Sequence, residues 1–133
     1  MAKTALILRG LPGAGKTTLA QSIAPDANVA ADEWFDRFNG GVFDPMYLTE
    51  AHGWCLDKFA WMLAQDNATV VAAHNTFTRR SEYQPYVDVA TKLGARVHVM
   101  TVENPQGTIT THGVPEKTID KMHKRYELEL VPR

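Results

Sequence analysis

A chain of 133 residues with 22% charged side chains is sized for one α/β unit, residues 1–133, and not for several. Fourteen basic and fifteen acidic residues leave a formal net charge of -1, which excludes bulk electrostatic attraction to nucleic acid or anionic lipid. One cysteine, Cys55, excludes an internal disulfide, and no apolar run reaches the roughly 20 residues of a membrane span.

The N-terminal MAKTALIL is short and is followed by glycines and Lys16, so it makes a poor signal peptide and a good first strand, Thr4 to Arg9. The cytoplasm is the expected location. GLPGAGKT, residues 10–17, comes next and fits the spacing G-x-x-x-x-G-K-[ST] between a strand and a helix. Each part has a physical purpose. Glycines permit backbone angles that turn successive N–H groups inward as an anion nest. The helix that starts near Lys16 points its positive dipole end at the same place. Lys16 adds a point charge for the outer phosphates, and the Thr17 hydroxyl is a hard oxygen ligand suited to Mg²⁺. Gly10, Leu11, Pro12, Gly13, Ala14, Gly15, Lys16, Thr17 and Thr18 are therefore the expected nucleotide-binding residues, with Thr17 on the metal.

The first helix is expected to end at Ala24, before Pro25. A short strand, Asn28 to Ala31, leads into Asp32, and EWFDRFNGGVFD reads as an irregular loop turning at Asn39-Gly40-Gly41. Asp44-Pro45 reads as an N-cap and first helical position, with Leu48, Ala51, Cys55, Phe59 and Met62 keeping helical spacing as far as Gln65. Ala68 to Ala73 is continuously apolar, as expected of a strand buried on both faces. A helix from Glu82 stops at Leu93-Gly94, and Ala95 to Val102 makes a fourth strand. A polar loop, Glu103 to Val114, precedes a last helix from Pro115 with Ile119, Met122, Tyr126 and Leu130 on one face.

Four strands joined through helices imply a parallel sheet, with the ligand site beyond the carboxyl ends of the strands. Asp32 follows the second strand and is suited to take a proton from an acceptor hydroxyl or to hold magnesium through water. HNTFTRR, residues 74–80, follows the third. Asn75 offers neutral hydrogen bonds to a substrate, and the adjacent Arg79 and Arg80 can grip phosphate bidentately. His74 stands where many P-loop enzymes carry an acid that supports magnesium; a bond to phosphate or water and a structural role are both open to it. Trp34 and Phe35 suit either base stacking or core packing.

The segments ILRGLPGAGKTTLA, ADEWF, FDPMYLTEAHGWC, HNTFTRRSEYQPYVDVA and HGVPEKTIDKMHKRYE, in this order, resemble the small P-loop kinases related to bacteriophage polynucleotide 5′-kinase, including stand-alone AAA-type ATP-binding proteins of phages and bacteria. The resemblance runs from about Leu6 to Glu127. It implies a three-layer α/β/α P-loop NTPase fold with a small, mostly parallel sheet of about four strands. It also implies transfer of the ATP γ-phosphate, with Mg²⁺, to the 5′-hydroxyl of a nucleic acid. Lys16 and Asp32 would be catalytic, Asp32 as the general base, and residues 103–114 would form a lid. The sequence departs from the family in that lid, since no Lys or Arg lies between Arg96 and Lys117. Two other readings therefore stay open: a kinase for a small, nucleoside-like hydroxyl compound, and an ATP-binding switch without phosphoryl transfer. The oligomeric state is not encoded in any feature of the sequence.

Overall fold

The first strand carries apolar side chains on both sides, and the architecture follows from that. The computed structural model describes residues 2–104 and 116–127. In β1 (Thr4–Arg9), Ala5 and Ile7 enter one hydrophobic cluster while Leu6 and Leu8 enter another on the opposite face. β1 is flanked in parallel by β3 (Val70–Asn75) and β4 (Arg96–Thr101), and β2 (Asn28–Val29) pairs with the far side of β3, giving the order β2-β3-β1-β4. α1 (Lys16–Ile23) covers the Leu6–Leu8 face through Leu19, Ala20 and the adjoining Ala24. α3 (Leu48–Ala64) and α4 (Arg80–Lys92) cover the other face through Cys55, Phe59, Tyr83, Tyr86 and Ala90. The expected small, parallel, three-layer α/β/α sheet of four strands is the one observed.

Several element boundaries differ from those expected: β2 stops at Val29, β3 starts at Val70 and β4 spans Arg96–Thr101, and three further differences bear on the site. Residues expected as an irregular loop contain α2 (Asp32–Phe38). This helix has under two turns and buries only Phe35, too little for a helical period to show in the sequence. Its start is closed by Glu33, whose carboxylate accepts from the Ala30 N–H at 2.9 Å. β3 runs on through His74 and Asn75, which therefore lie inside the strand end and not after it. α4 starts at Arg80, two residues before the expected Glu82; Glu82 instead accepts from the Thr78 N–H at 2.7 Å just ahead of the helix. The Asp44 cap is present and accepts from the Met46 N–H, but the first turn after it, Pro45–Tyr47, is 3₁₀ before α3 proper. Of the last helix, α5 (Glu116–Arg125) is described; the expected lid beyond Asn104, together with Leu130, falls outside the described residues.

The end of β1 carries Arg9, 2% exposed. Its guanidinium donates to the carbonyls of Phe77 (3.0 Å) and Thr78 (3.2 Å) and lies between the rings of Tyr83 and Tyr126, 4.9 and 4.6 Å from their centroids. This holds the turn after β3, where Phe77 sits at φ 47 in the left-handed region. Arg9→Ala removes both bonds and leaves the buried Phe77 carbonyl without a donor, while the Thr78 carbonyl keeps the Glu127 N–H at 2.6 Å. It is expected to cost about 3 kcal/mol of stability by chemical denaturation. Arg9→Lys should recover less than half of that, because an ammonium cannot span both carbonyls and stack flat.

Candidate active site: the phosphate loop and the strand ends beside it

The loop after β1 is held by close backbone contacts. Gly10 donates its N–H to the Thr76 carbonyl at 3.2 Å. An ideal Cβ at position 10 would lie 2.5 Å from the Val102 carbonyl oxygen, so only glycine fits between β1 and the end of β4. Gly13 and Gly15 adopt φ 84 and φ 94, and Gly15 is the N-cap of α1 without any side-chain cap. The N–H groups of the first turn of α1 are thus left to an outside acceptor, as an anion site requires.

Lys16 folds back over this loop. Its ammonium donates to the carbonyls of Gly10 (2.7 Å) and Leu11 (3.0 Å). An ammonium has three donors, so one remains for a phosphate oxygen. Burial lowers the Lys16 pKa to about 8, and the Asp32 carboxylate acts against that shift. Asp32, exposed as the first residue of α2, is thereby within electrostatic reach of the P-loop ammonium. Among the described residues no hydrogen bond occupies its carboxylate, which leaves it accessible to a substrate hydroxyl.

Asn75 was expected at the substrate. Instead it is 8% exposed, its Oδ1 accepts from the Ala31 N–H at 2.8 Å, and its Nδ2 faces Cys55 Sγ at 3.5 Å. It ties the end of β3 to the residue preceding Asp32, and so acts on the site by fixing where α2 begins. Cys55 is buried in the core, and burial raises its pKa, as expected of a packing residue rather than a reactive thiol. Arg79 and Arg80 line a broad groove of about 770 Å³ with Ser81, Gln84, Arg125 and Glu127. Neither Lys16 nor Asp32 lines that groove, so the structure does not join the arginine pair to the P-loop as one pocket.

Two histidines are neighbours of the site: His52, which no sequence motif marks, and His74, whose role the sequence leaves open. His52 of α3 feels both Glu82 and Asp32; burial lowers its pKa while these carboxylates act in the opposite direction. His74, 5% exposed, faces Thr17 Oγ1 through Nδ1 at 3.5 Å and Asn28 Oδ1 through Nε2 at 3.1 Å. No local spacing could have revealed either, since both depend on which strand ends meet. Beside Asp32, Phe35 is core, whereas Trp34 is half-buried and packs on Phe38 and Tyr47, 5.7 and 5.4 Å between ring centroids.

These residues fit ATP with Mg²⁺. The glycine nest and helix start suit phosphates, and Thr17 supplies one hard neutral oxygen at the first turn of α1. Among the described residues no group of three or more His, Cys, Asp or Glu side chains could hold a metal ion. Among them, too, no helix is long and apolar enough to cross a membrane.

Known proteins resemble this chain in sequence or in fold. Over 133 residues the chain is 28% identical to human NEDD4-binding protein 2, covering 92% of this chain but only 8% of that protein. Its fold superposes on a chain of the Pnkp1/Rnl/Hen1 RNA repair complex with TM-score 0.70 at 21% identity, covering 93% of this chain and 44% of that one. Gluconokinase from Sinorhizobium meliloti gives TM-score 0.59 at 13% identity, covering 93% and 75%, and the APS kinase CysC of Mycobacterium tuberculosis gives 0.56 at 11%, covering 93% and 96%. The chain thus spans under half the length of the first two relatives. The fold is that of the P-loop kinases. Residues 6–128 match the AAA domain family, and the chain, with its phosphate loop at the carboxyl edge of a parallel sheet, belongs to that family.

Proposed function

We propose that this protein is an ATP-dependent kinase that transfers the γ-phosphate to the 5′-hydroxyl of a polynucleotide. The observation that carries this reading is the exposed Asp32 carboxylate within electrostatic reach of Lys16. In the proposed reaction Asp32 accepts the proton of the acceptor hydroxyl as its oxygen bonds to the γ-phosphorus. The bond from that phosphorus to the bridging oxygen breaks, and ADP leaves. Lys16 and the loop N–H groups hold the phosphates in line. Mg²⁺, held by Thr17 and phosphate oxygens, would offset the charge that builds on the bridging oxygen. The likeness to a chain of an RNA repair complex supports a nucleic-acid acceptor.

A second reading, a kinase for a small hydroxyl compound, is favoured by a different observation. Around Asp32, α2 exposes Asp36 and Arg37 and carries aromatic rings, a setting with no excess of positive charge that suits a compact, partly apolar acceptor better than a polyanion backbone. One assay separates the readings. γ-labelled ATP and Mg²⁺ are incubated with a single-stranded oligonucleotide bearing a free 5′-hydroxyl, and in parallel with nucleosides. Label on the oligonucleotide supports the first reading, and label on nucleosides alone supports the second. Saturable ATP binding with label on neither would leave an ATP-binding switch.

A further inference from the structure

His74 ends the central part of the sheet, paired with Leu8 in the register of β1 and β3. Its ring bridges two side chains, and the direction of each bond can be worked out. The Asn28 amide is oriented by its own neighbours: Nδ2 donates to the carbonyls of Ala24 (2.8 Å) and Pro25 (3.4 Å). Its Oδ1 therefore faces His74 Nε2, and an amide oxygen only accepts. Nε2 must carry the ring hydrogen. In a neutral imidazole this leaves Nδ1 with a lone pair, so across the 3.5 Å contact the Thr17 hydroxyl donates and Nδ1 accepts. His74 is 5% exposed and both partners of its ring are neutral, with no carboxylate to balance a charge, which agrees with the neutral form.

We infer that His74 is a positioning residue: held as its Nε2–H tautomer by Asn28, it takes the Thr17 hydroxyl hydrogen and turns the oxygen lone pairs toward the nucleotide-bound cation. This rests on the reading of residues 10–18 as a nucleotide site. A hydroxyl without such an acceptor would rotate, and in some of its settings would point a hydrogen at the cation. The imidazole does for Thr17 what an outer hydrogen-bond partner does for a ligand at a metal centre, without adding negative charge. Thr17 would then offer the cation a neutral oxygen beside the phosphates.

The two ring nitrogens can be replaced one at a time. In His74→Asn the side-chain oxygen takes the place of Nδ1, which keeps an acceptor for Thr17. In His74→Gln the amide nitrogen takes the place of Nε2, which keeps the donor to Asn28 and removes the acceptor. The readout is equilibrium binding of a non-hydrolysable ATP analogue, measured for each protein in Mg²⁺ and in EDTA and expressed as the ratio of the two affinities. His74→Gln is expected to lower this ratio about tenfold or more. His74→Asn is expected to stay within about threefold of wild type. Equal ratios in both variants, whether unchanged or equally reduced, would overturn the inference, because a merely structural histidine predicts no difference between them. Asn28→Ala, which frees the tautomer without entering the site, should lower the ratio too; an unchanged ratio there overturns it independently, even where a His74 variant fails to fold. Analogue binding in EDTA separately tests the loop: wild type that binds in neither condition sinks the nucleotide reading and this inference together, whereas binding that is indifferent to His74 sinks only the latter.

Discussion

Asp32→Asn is expected to lower phosphoryl transfer about 10²- to 10⁴-fold while ATP affinity stays within about threefold of wild type. The substitution is nearly isosteric and leaves α2 in place, since the start of that helix is closed by Glu33 on the Ala30 N–H and by Asn75 on the Ala31 N–H, not by Asp32. It removes the proton acceptor and the negative charge near Lys16. The second loss has a predictable sign. The Asp32 carboxylate raises the Lys16 pKa against burial, so the variant holds its lysine less firmly charged and tightens ATP binding less than a naive charge count suggests. The check is single-turnover transfer from γ-labelled ATP beside analogue binding, both near pH 7. Full turnover in Asp32→Asn would remove the general base from the mechanism. Equal loss of binding and turnover would make Asp32 a nucleotide ligand instead.

How much of this site the sequence contained depends on which residues carried it. The loop was legible because its chemistry is local: glycines, lysine and threonine at fixed spacing, directly after a strand whose alternate residues face two separate clusters. The position of Asp32 was legible nearly as well: the strand it was expected to follow stops at Val29, and Asp32 opens the next helix. The surroundings of Asn75 were not legible, because its polarity suggests solvent or substrate, whereas it is buried and its Oδ1 accepts from a backbone N–H 44 residues away. His74 and Arg9 carry the same lesson. Each is a polar residue inside an apolar strand, and its partners at Thr17, Asn28, Phe77 and Thr78 come from other elements, so only the order β2-β3-β1-β4 brings them together. α2 was hidden by its brevity, since one buried residue makes no period.

Lys16→Met should weaken ATP binding roughly 30- to 4,000-fold, the range set by about 2 to 5 kcal/mol for removing one partner of a buried charge interaction. The argument turns on what the lysine endures without nucleotide. Its pKa of about 8 means that the folded protein disfavours the ammonium relative to the unfolded chain, at every pH below that value. Phosphate relieves this by returning a negative charge to the site, so the pKa must rise when ATP binds. Binding is then coupled to proton uptake: above pH 8 the wild-type affinity should fall up to tenfold per pH unit until the pKa of the complex is passed, and below pH 8 Lys16 contributes no slope. Lys16→Met should lack this slope entirely, which separates the lysine from other groups that titrate in the same range. The same shift predicts that the nucleotide-free variant loses no thermal stability at pH 7, because methionine fills the space with no charge to desolvate. A variant that binds weakly and also melts early would mean that the bonds from Lys16 to the Gly10 and Leu11 carbonyls hold the loop in shape, and that the weakened binding follows from a collapsed nest and not from a missing charge.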